Sequence, residues 1–121
     1  MCETGVVKTT RIVLSALISL LGVVHIAFTP VFYPGWGLDS LWFAGTGLGL
    51  VILGLMNALL VGRREKWTIL LGAGANFASL TLLSMLAVTL GAFQGWVGVA
   101  LALGLFATGV LDSSNKAEKT K

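Results

Sequence analysis

Residues 39–62 read DSLWFAGTGLGLVILGLMNALLVG, a long apolar run in which Asp39, at its first position, is the one charged side chain. A helix needs about 20 mostly apolar residues to cross the hydrocarbon core of a bilayer. The run does not alternate polar and apolar residues, and it is much longer than a barrel strand of about 10 residues. It therefore predicts a membrane-spanning helix, with Asp39 or Ser40 as its N-cap.

Three similar runs lie on either side of this one, at about 11–30, 67–91 and 94–111. Pro30 is expected to end the first of them. The connections between the four runs are short, and short connections require antiparallel neighbours. We predict an all-α membrane fold, an up-down-up-down bundle of four transmembrane helices in a single domain over 1–111. A polar cytoplasmic tail is expected at 112–121.

The composition of the chain points to lipid as its solvent. Of its 121 residues, 56% are hydrophobic and 11% are charged, and the mean hydropathy is +0.94. Soluble domains carry about 25% charged residues, and a small domain cannot bury so much apolar surface by itself. The net charge of +3 does not indicate nucleic-acid binding, because the basic residues are few and lie at segment ends.

The eight basic residues fall into three groups, which are separated by two connections without Lys or Arg. The groups precede the first helix, lie between the second and third, and follow the fourth: Lys8 and Arg11; Arg63, Arg64 and Lys66; Lys116, Lys119 and Lys121. Cytoplasmic loops of membrane proteins carry an excess of Lys and Arg. The distribution therefore predicts that both termini are cytoplasmic, in a multi-pass protein of a bacterial inner membrane.

His25 is the single histidine of the chain, and it is the one ionisable residue expected inside a span. Intramembrane ionisable residues are functional candidates. The ring could bond to a neighbouring helix, contact a lipid headgroup, quinone or similar amphiphile at the outer leaflet, or serve as an axial ligand of haem or chlorin. No cofactor is expected on the first two interpretations. The candidate ligand-binding residues are His25, Trp36, Asp39, Trp42 and Asn76.

Small and amide side chains are the expected contacts between the helices. Close approach of small residues drives helix packing in lipid, and an amide hydrogen bond between helices adds to it. The expected packing residues are Gly45, Gly49, Asn57 and Gly72, with Gly47 and Gly54 on the opposite face of their helix. Two small faces on one helix indicate two neighbours, either within the bundle or in a second copy or other membrane subunit.

Catalysis is not expected from this sequence. No nucleophile, base and orienting group converge at one predicted depth, so we predict that the chain is not an enzyme. The lone Cys2 lies far along the chain from His25, and no metal site is expected beyond the possible axial role of that histidine.

Several features of the first half of the chain form a recognisable set: a His-x-x-x-Thr-Pro sequence over 25–30, a Leu-Trp-Phe opening at 41–43, and Asn57 near the end of the second run. They resemble those of small, uncharacterised bacterial inner-membrane proteins of four predicted helices, and this resemblance implies no activity. The length is similar to that of the small multidrug transporters, whose first helix holds a membrane-embedded glutamate that this chain lacks.

Two functions are consistent with these features. The first is a non-catalytic accessory or scaffold subunit of a membrane complex, or a binder of a lipid-like molecule at the outer leaflet. The alternative is a homodimeric small transporter that uses His25 as its titratable group.

Overall fold

The structure, a computed structural model, describes residues 2–63 and 65–118. It confirms the all-α, four-helix prediction with α1 (Cys2–Phe32), α2 (Leu38–Leu59), α3 (Lys66–Leu90) and α4 (Phe93–Glu118). Each helix contains a segment long and apolar enough to cross a membrane. The chain is thus a helical bundle of the multi-pass membrane type, and its orientation in the membrane stays a prediction.

The start of α1 and the end of α4 differ most from the predicted helix bounds. α1 begins at residue 2 instead of 11, and α4 continues to residue 118 instead of ending at 111. Hydropathy identifies only the apolar part of a helix. An ion pair between Arg11 and Asp112 joins α1 and α4 near these two ends. Residues 112–118 of the predicted tail are therefore helical, and 119–121 lie outside the described residues.

Pro30 does not end α1, which continues to Phe32. A proline removes one backbone donor, here the one that would bond to the carbonyl of residue 26. The next turn still closes, because the backbone N–H of Tyr33 donates to the Thr29 carbonyl at 2.9 Å.

The N-cap of α2 is Gly37 instead of Asp39 or Ser40. The Ser40 hydroxyl lies within the first turn, where it accepts from the Gly37 N–H at 2.9 Å and donates to the Gly37 carbonyl at 2.7 Å. α3 ends at Leu90, and its C-cap Gly91 has a left-handed φ of 62°, a conformation that glycine adopts without steric cost.

Neighbouring helices run antiparallel. α1 packs along α2 and α4, α3 packs along α4, and α2 and α3 contact each other only slightly. We call the end with the start of α1, the connection 60–65 and the end of α4 the basic end. The opposite end, with the connections 33–37 and 91–92, is the aromatic end.

The core is a thin apolar column between the helices, formed by Ile18, Leu50, Leu53, Leu83, Ala102 and Leu105. More than half of the surface of many other large apolar side chains is exposed on the outside of the bundle, among them Leu20, Leu55, Leu71 and Val88. Such a surface is stable in lipid but not in water, because it buries nothing against protein.

The glycines that pack α2 against α1 are Gly47 and Gly54, not the predicted Gly45 and Gly49. A Cβ on Gly47 would lie 2.8 Å from the Gly22 carbonyl oxygen, so the two backbones touch there. At Gly45 and Gly49 no atom of the described chain lies within 4 Å of the Cβ position. Of the two glycine faces of α2, α1 packs against the one formed by Gly47 and Gly54.

Candidate functional site: a cleft between α2 and α3

A cavity of about 390 Å³ opens between α2 and α3 toward the aromatic end. Ligand-binding cavities typically measure about 300–1,000 Å³ and combine apolar walls with a few polar groups. The apolar lining includes Leu21, Leu50, Leu83, Leu86 and Leu90, and the polar and aromatic lining includes His25, Tyr33, Phe43, Thr46 and Gln94. We call this cavity the cleft.

A shallower groove of about 370 Å³ adjoins the cleft. The two share Thr46, Leu50, Leu83 and Leu86 in their lining, and the groove continues over Gly45 and Gly49 to Trp42. The groove lies between α2 and α3, which contact each other little, so the cleft is open laterally on this side of the bundle.

His25 is half-buried at the wall of the cleft, and its ring stacks on Phe43 with the ring centroids 4.4 Å apart and the planes 21° from parallel. The Phe43 ring also lies 5.4 Å from the Tyr33 ring, centroid to centroid. Neither imidazole nitrogen hydrogen-bonds to any residue that the structure describes. A neutral imidazole offers one donor and one acceptor, so both are available to a molecule in the cleft.

The close contact of α1 and α2 brings His25 to Phe43. A Cβ on Gly47 would lie 2.9 Å from the Cβ of His25, so any larger residue would push α1 away at this level. The imidazole stacks on Phe43, which lies one turn of α2 beyond Gly47 toward the aromatic end.

The five predicted ligand-binding residues do not form one site. His25 lines the cleft and Trp42 lines the adjoining groove. Trp36, which is 90% exposed, and Asp39, which is also exposed, line neither of them. Asn76 lies in a separate polar network at the basic end, where it bonds to Asn57 and does not line the cleft.

The polar network at the basic end takes one side chain from each helix: Arg11, Asn57, Asn76 and Asp112. The two amides pair reciprocally, with Asn57 Nδ2 donating to Asn76 Oδ1 at 2.6 Å and Asn76 Nδ2 donating to Asn57 Oδ1 at 2.9 Å. Arg11 Nη2 donates to Asn57 Oδ1 at 3.2 Å, and Arg11 Nη1 lies 3.6 Å from Asp112 Oδ2. We call these four residues the four-helix network.

The structure corrects the expectation that His25 is the one ionisable residue within a span. Arg11 and Asp112 are both more than nine-tenths buried, and both lie in helical segments long and apolar enough to cross a membrane. A signal for Arg11 was present, because Ser15 and Gly22 follow at helical spacing on the same face. Arg11 was instead predicted to be a flanking charge before the first helix, which is the commonest role of a basic residue beside an apolar run.

The polar groups of the cleft are few and differ in kind. Its described lining provides one imidazole, one phenol, one hydroxyl and one primary amide on apolar walls, and no carboxylate or thiol. Among the described residues no three His, Cys, Asp or Glu side chains are grouped as metal ligands.

No protein-family model, no curated protein and no solved structure matches the chain. A function for this chain therefore rests on its own residues and their arrangement.

Proposed function

We propose that this protein binds one lipid-like amphiphile in the cleft between α2 and α3, as a non-catalytic, multi-pass protein of a bacterial inner membrane. The observation that carries the proposal is the polarity of the cleft. Its polar groups, including His25, Tyr33 and Gln94, lie toward the aromatic end, and leucines form the deeper walls. An amphiphile aligned with the lipids around it presents the same order of polar head and apolar chain.

The proposed orientation places the cleft in the outer leaflet. Lys8, Arg63 and Lys66 lie at the basic end and the aromatic end carries Trp36 and Trp96. Basic residues favour the cytoplasmic side and aromatic residues favour either interface. The aromatic end, where the cleft opens, therefore faces away from the cytoplasm.

The size of the cleft favours a chain-like ligand over a helix of a partner protein. An α-helix is about 10–12 Å wide with a pitch of 5.4 Å, so a single turn occupies at least roughly 400 Å³. The cleft, at about 390 Å³, would be filled by one turn. A flexible acyl or isoprenoid chain, which is narrower, can follow the leucine walls over their whole length.

Within this site, His25 is the residue proposed to hold the polar head of the ligand. Its nitrogens have no partner among the described residues, and a polar group in an apolar environment without a hydrogen bond costs about 1–3 kcal/mol. A head group that hydrogen-bonds to the imidazole removes that cost. The stacked Phe43 ring keeps the imidazole turned along the wall of the cleft.

Native mass spectrometry of the purified protein tests this proposal, with palmitoyl-oleoyl phosphatidylglycerol titrated into the detergent as the probe. Thr46 lies in both the cleft and the groove, so Thr46→Trp should block the site. Leu48, two residues away, is 53% exposed and lines neither cavity, so Leu48→Trp is the matched control. We expect one retained lipid in the wild type and in Leu48→Trp, and none in Thr46→Trp. Equal retention in both variants would contradict the proposal.

A second role, as an accessory subunit or one half of a homodimer, is favoured by one observation. Gly45 and Gly49 leave a small-residue face of α2 uncovered within the described chain, and such faces allow a helix of another chain to approach closely. Mass measurement of particles extracted directly from the membrane with a styrene–maleic acid polymer tests this role. A particle that holds a single protein chain, in the wild type as in Gly49→Leu, would argue against it.

A further inference from the structure

The described lining of the cleft and of the adjoining groove holds no charged side chain. The cleft is lined from the stretches 21–50 and 83–98. Neither stretch contains a Lys or Arg, and their one acidic residue is Asp39, which is exposed and lies outside the lining. An anionic head group in the cleft would therefore find no cationic side chain with which to pair.

Three polar side chains of the cleft have hydrogen-bonding capacity that the bundle does not use. The His25 nitrogens, the Tyr33 hydroxyl and the Gln94 amide bond to no residue that the structure describes. Together they offer both donors and acceptors, all of them uncharged when the imidazole is neutral. The Thr46 hydroxyl is engaged, because it donates to the Trp42 carbonyl at 2.9 Å. The cleft can thus hold a polar head by hydrogen bonds, but not by charge.

The helix ends beside the cleft do not replace the missing cation. The carbonyl end of α3, at Leu90, and the N–H end of α4, at Gln94, both border the cleft. A helix carries a partial negative charge at its C-terminus and a partial positive charge at its N-terminus, so these two neighbouring ends largely offset each other. The Gly95 N–H, in the first turn of α4, already donates to the Ala92 carbonyl at 3.0 Å.

The neutrality of the cleft makes the charge of the head group decisive. Moving a charge from water into an apolar environment costs far more than moving a hydroxyl, ester or carbonyl group, unless the charge is paired. A phosphate in the cleft would lose water and gain no counter-ion. An uncharged head would exchange its bonds to water for bonds to His25, Tyr33 or Gln94. Because the leucine walls contact the apolar chain in either case, the head group determines which amphiphile is preferred.

We propose that the cleft selects amphiphiles with an uncharged, oxygen-bearing head group over anionic phospholipids. This inference rests on the proposed lipid-binding function and specifies the class of ligand. The hydroxyl and ester groups of a diacylglycerol have this chemistry, and so do the carbonyl groups of an isoprenoid quinone. The two sources are distinguished by experiment.

Competition between two lipids, followed by native mass spectrometry of the detergent-purified protein, tests this selection. Palmitoyl-oleoyl glycerol and palmitoyl-oleoyl phosphatidylglycerol have the same acyl chains and differ in the anionic phosphoglycerol head. When both are supplied in equal amounts, we expect the diacylglycerol to be retained at least about tenfold more than the phospholipid. Decylubiquinone, supplied in place of the diacylglycerol, tests the second source. Whichever uncharged probe excludes the phospholipid supports the proposal and identifies the source.

A positive charge placed in the cleft should reverse the preference. Gln94→Lys puts an ammonium group into the lining, where it can pair with the phosphate. Thr89 is exposed at the same end of the bundle and lines neither the cleft nor the groove, so Thr89→Lys adds the same charge outside the site. We expect the ratio of retained phospholipid to diacylglycerol to rise at least about tenfold in Gln94→Lys and to stay unchanged in Thr89→Lys.

The wild-type competition does not depend on any variant, and Gln94 is exposed in the first turn of α4, where the fold should tolerate lysine. Retention of the phospholipid equal to or above that of both uncharged probes, or the same ratio in Gln94→Lys and Thr89→Lys, would overturn the proposal. Thr46→Trp separates this failure from failure of the proposed function. Loss of every probe in Thr46→Trp would support lipid binding in the cleft whatever the preference, whereas unchanged retention there would contradict both proposals.

Discussion

Replacement of Asn57 should strongly destabilise the bundle, because three helices meet at its side chain. Asn57 is fully buried, and its amide accepts from Arg11 and exchanges two hydrogen bonds with Asn76. A further bond runs from Asn57 Nδ2 to the Leu53 carbonyl within α2, at 3.0 Å. Asn57→Leu keeps a side chain of similar size and removes all four bonds.

The expected loss of stability follows from the three bonds between helices. Hydrogen bonds between membrane helices contribute about 0.6 kcal/mol on average and up to about 1.7 kcal/mol each. Removal of three of them should therefore lower the free energy of unfolding by roughly 2 to 5 kcal/mol. The upper part of this range is favoured, because the substitution leaves Arg11 buried with one acceptor fewer.

The free energy of unfolding can be measured by titration with sodium dodecyl sulfate in mixed micelles, followed by circular dichroism. A double-mutant cycle with Asn76→Leu isolates the amide pair. We expect the double variant to be less destabilised than the sum of the single variants, by about 1 to 3 kcal/mol for two shared bonds.

Thr81→Leu serves as the control for the added apolar group. The Thr81 side chain is exposed and bonds only to the Phe77 carbonyl of its own helix, so its effect should stay within about 0.5 kcal/mol. The reasoning would be refuted if Asn57→Leu behaved like Thr81→Leu, or if the two asparagine substitutions were strictly additive.

Three further predictions follow from the same contacts. Gly54→Leu should cost about 1–3 kcal/mol of unfolding free energy by overpacking, since a Cβ there would lie 2.5 Å from the Ser15 carbonyl oxygen; Gly49→Leu, on the open face, should change it by less than about 0.5 kcal/mol. Asp112→Leu should cost about 3–5 kcal/mol by leaving Arg11 without its counter-ion, and Arg11→Leu in the same chain should recover part of that loss in the detergent titration. Compartment-sensitive reporters fused before residue 1 and after residue 121 should both indicate a cytoplasmic position. A position outside the cytoplasm for either reporter would contradict the proposed orientation of the cleft.

The helices themselves were predictable because hydropathy is a local property of the chain. The run at 39–62 differs from the observed α2 by one residue at its start and three at its end, and the starts of α3 and α4 differ by one. The ends of α1 and α4 were not predictable in this way. They consist of residues 2–10 and 112–118, which carry no long apolar run that hydropathy could identify.

The candidate site was predictable only in part. His25 was identified because it is a single polar ring in an apolar run, and it does line the cleft. Thr46 and Gln94 were missed, because no local pattern distinguishes a hydroxyl or amide that faces a cavity from one that faces lipid. Conversely, Trp36 and Asp39 share the depth of the cleft but lie outside its lining.

The amino-acid sequence by itself determined that this chain forms four apolar helices with its basic residues grouped at one end, because helix formation and lipid solvation depend on each segment separately. Only the tertiary structure decided which glycine face of α2 meets α1, and hence that α2 and α3 separate into a cleft beside His25. It also decided that Arg11 and Asp112 pair inside the bundle. Both outcomes depend on how backbones approach one another in space, and the spacing of residues along one helix leaves that choice open.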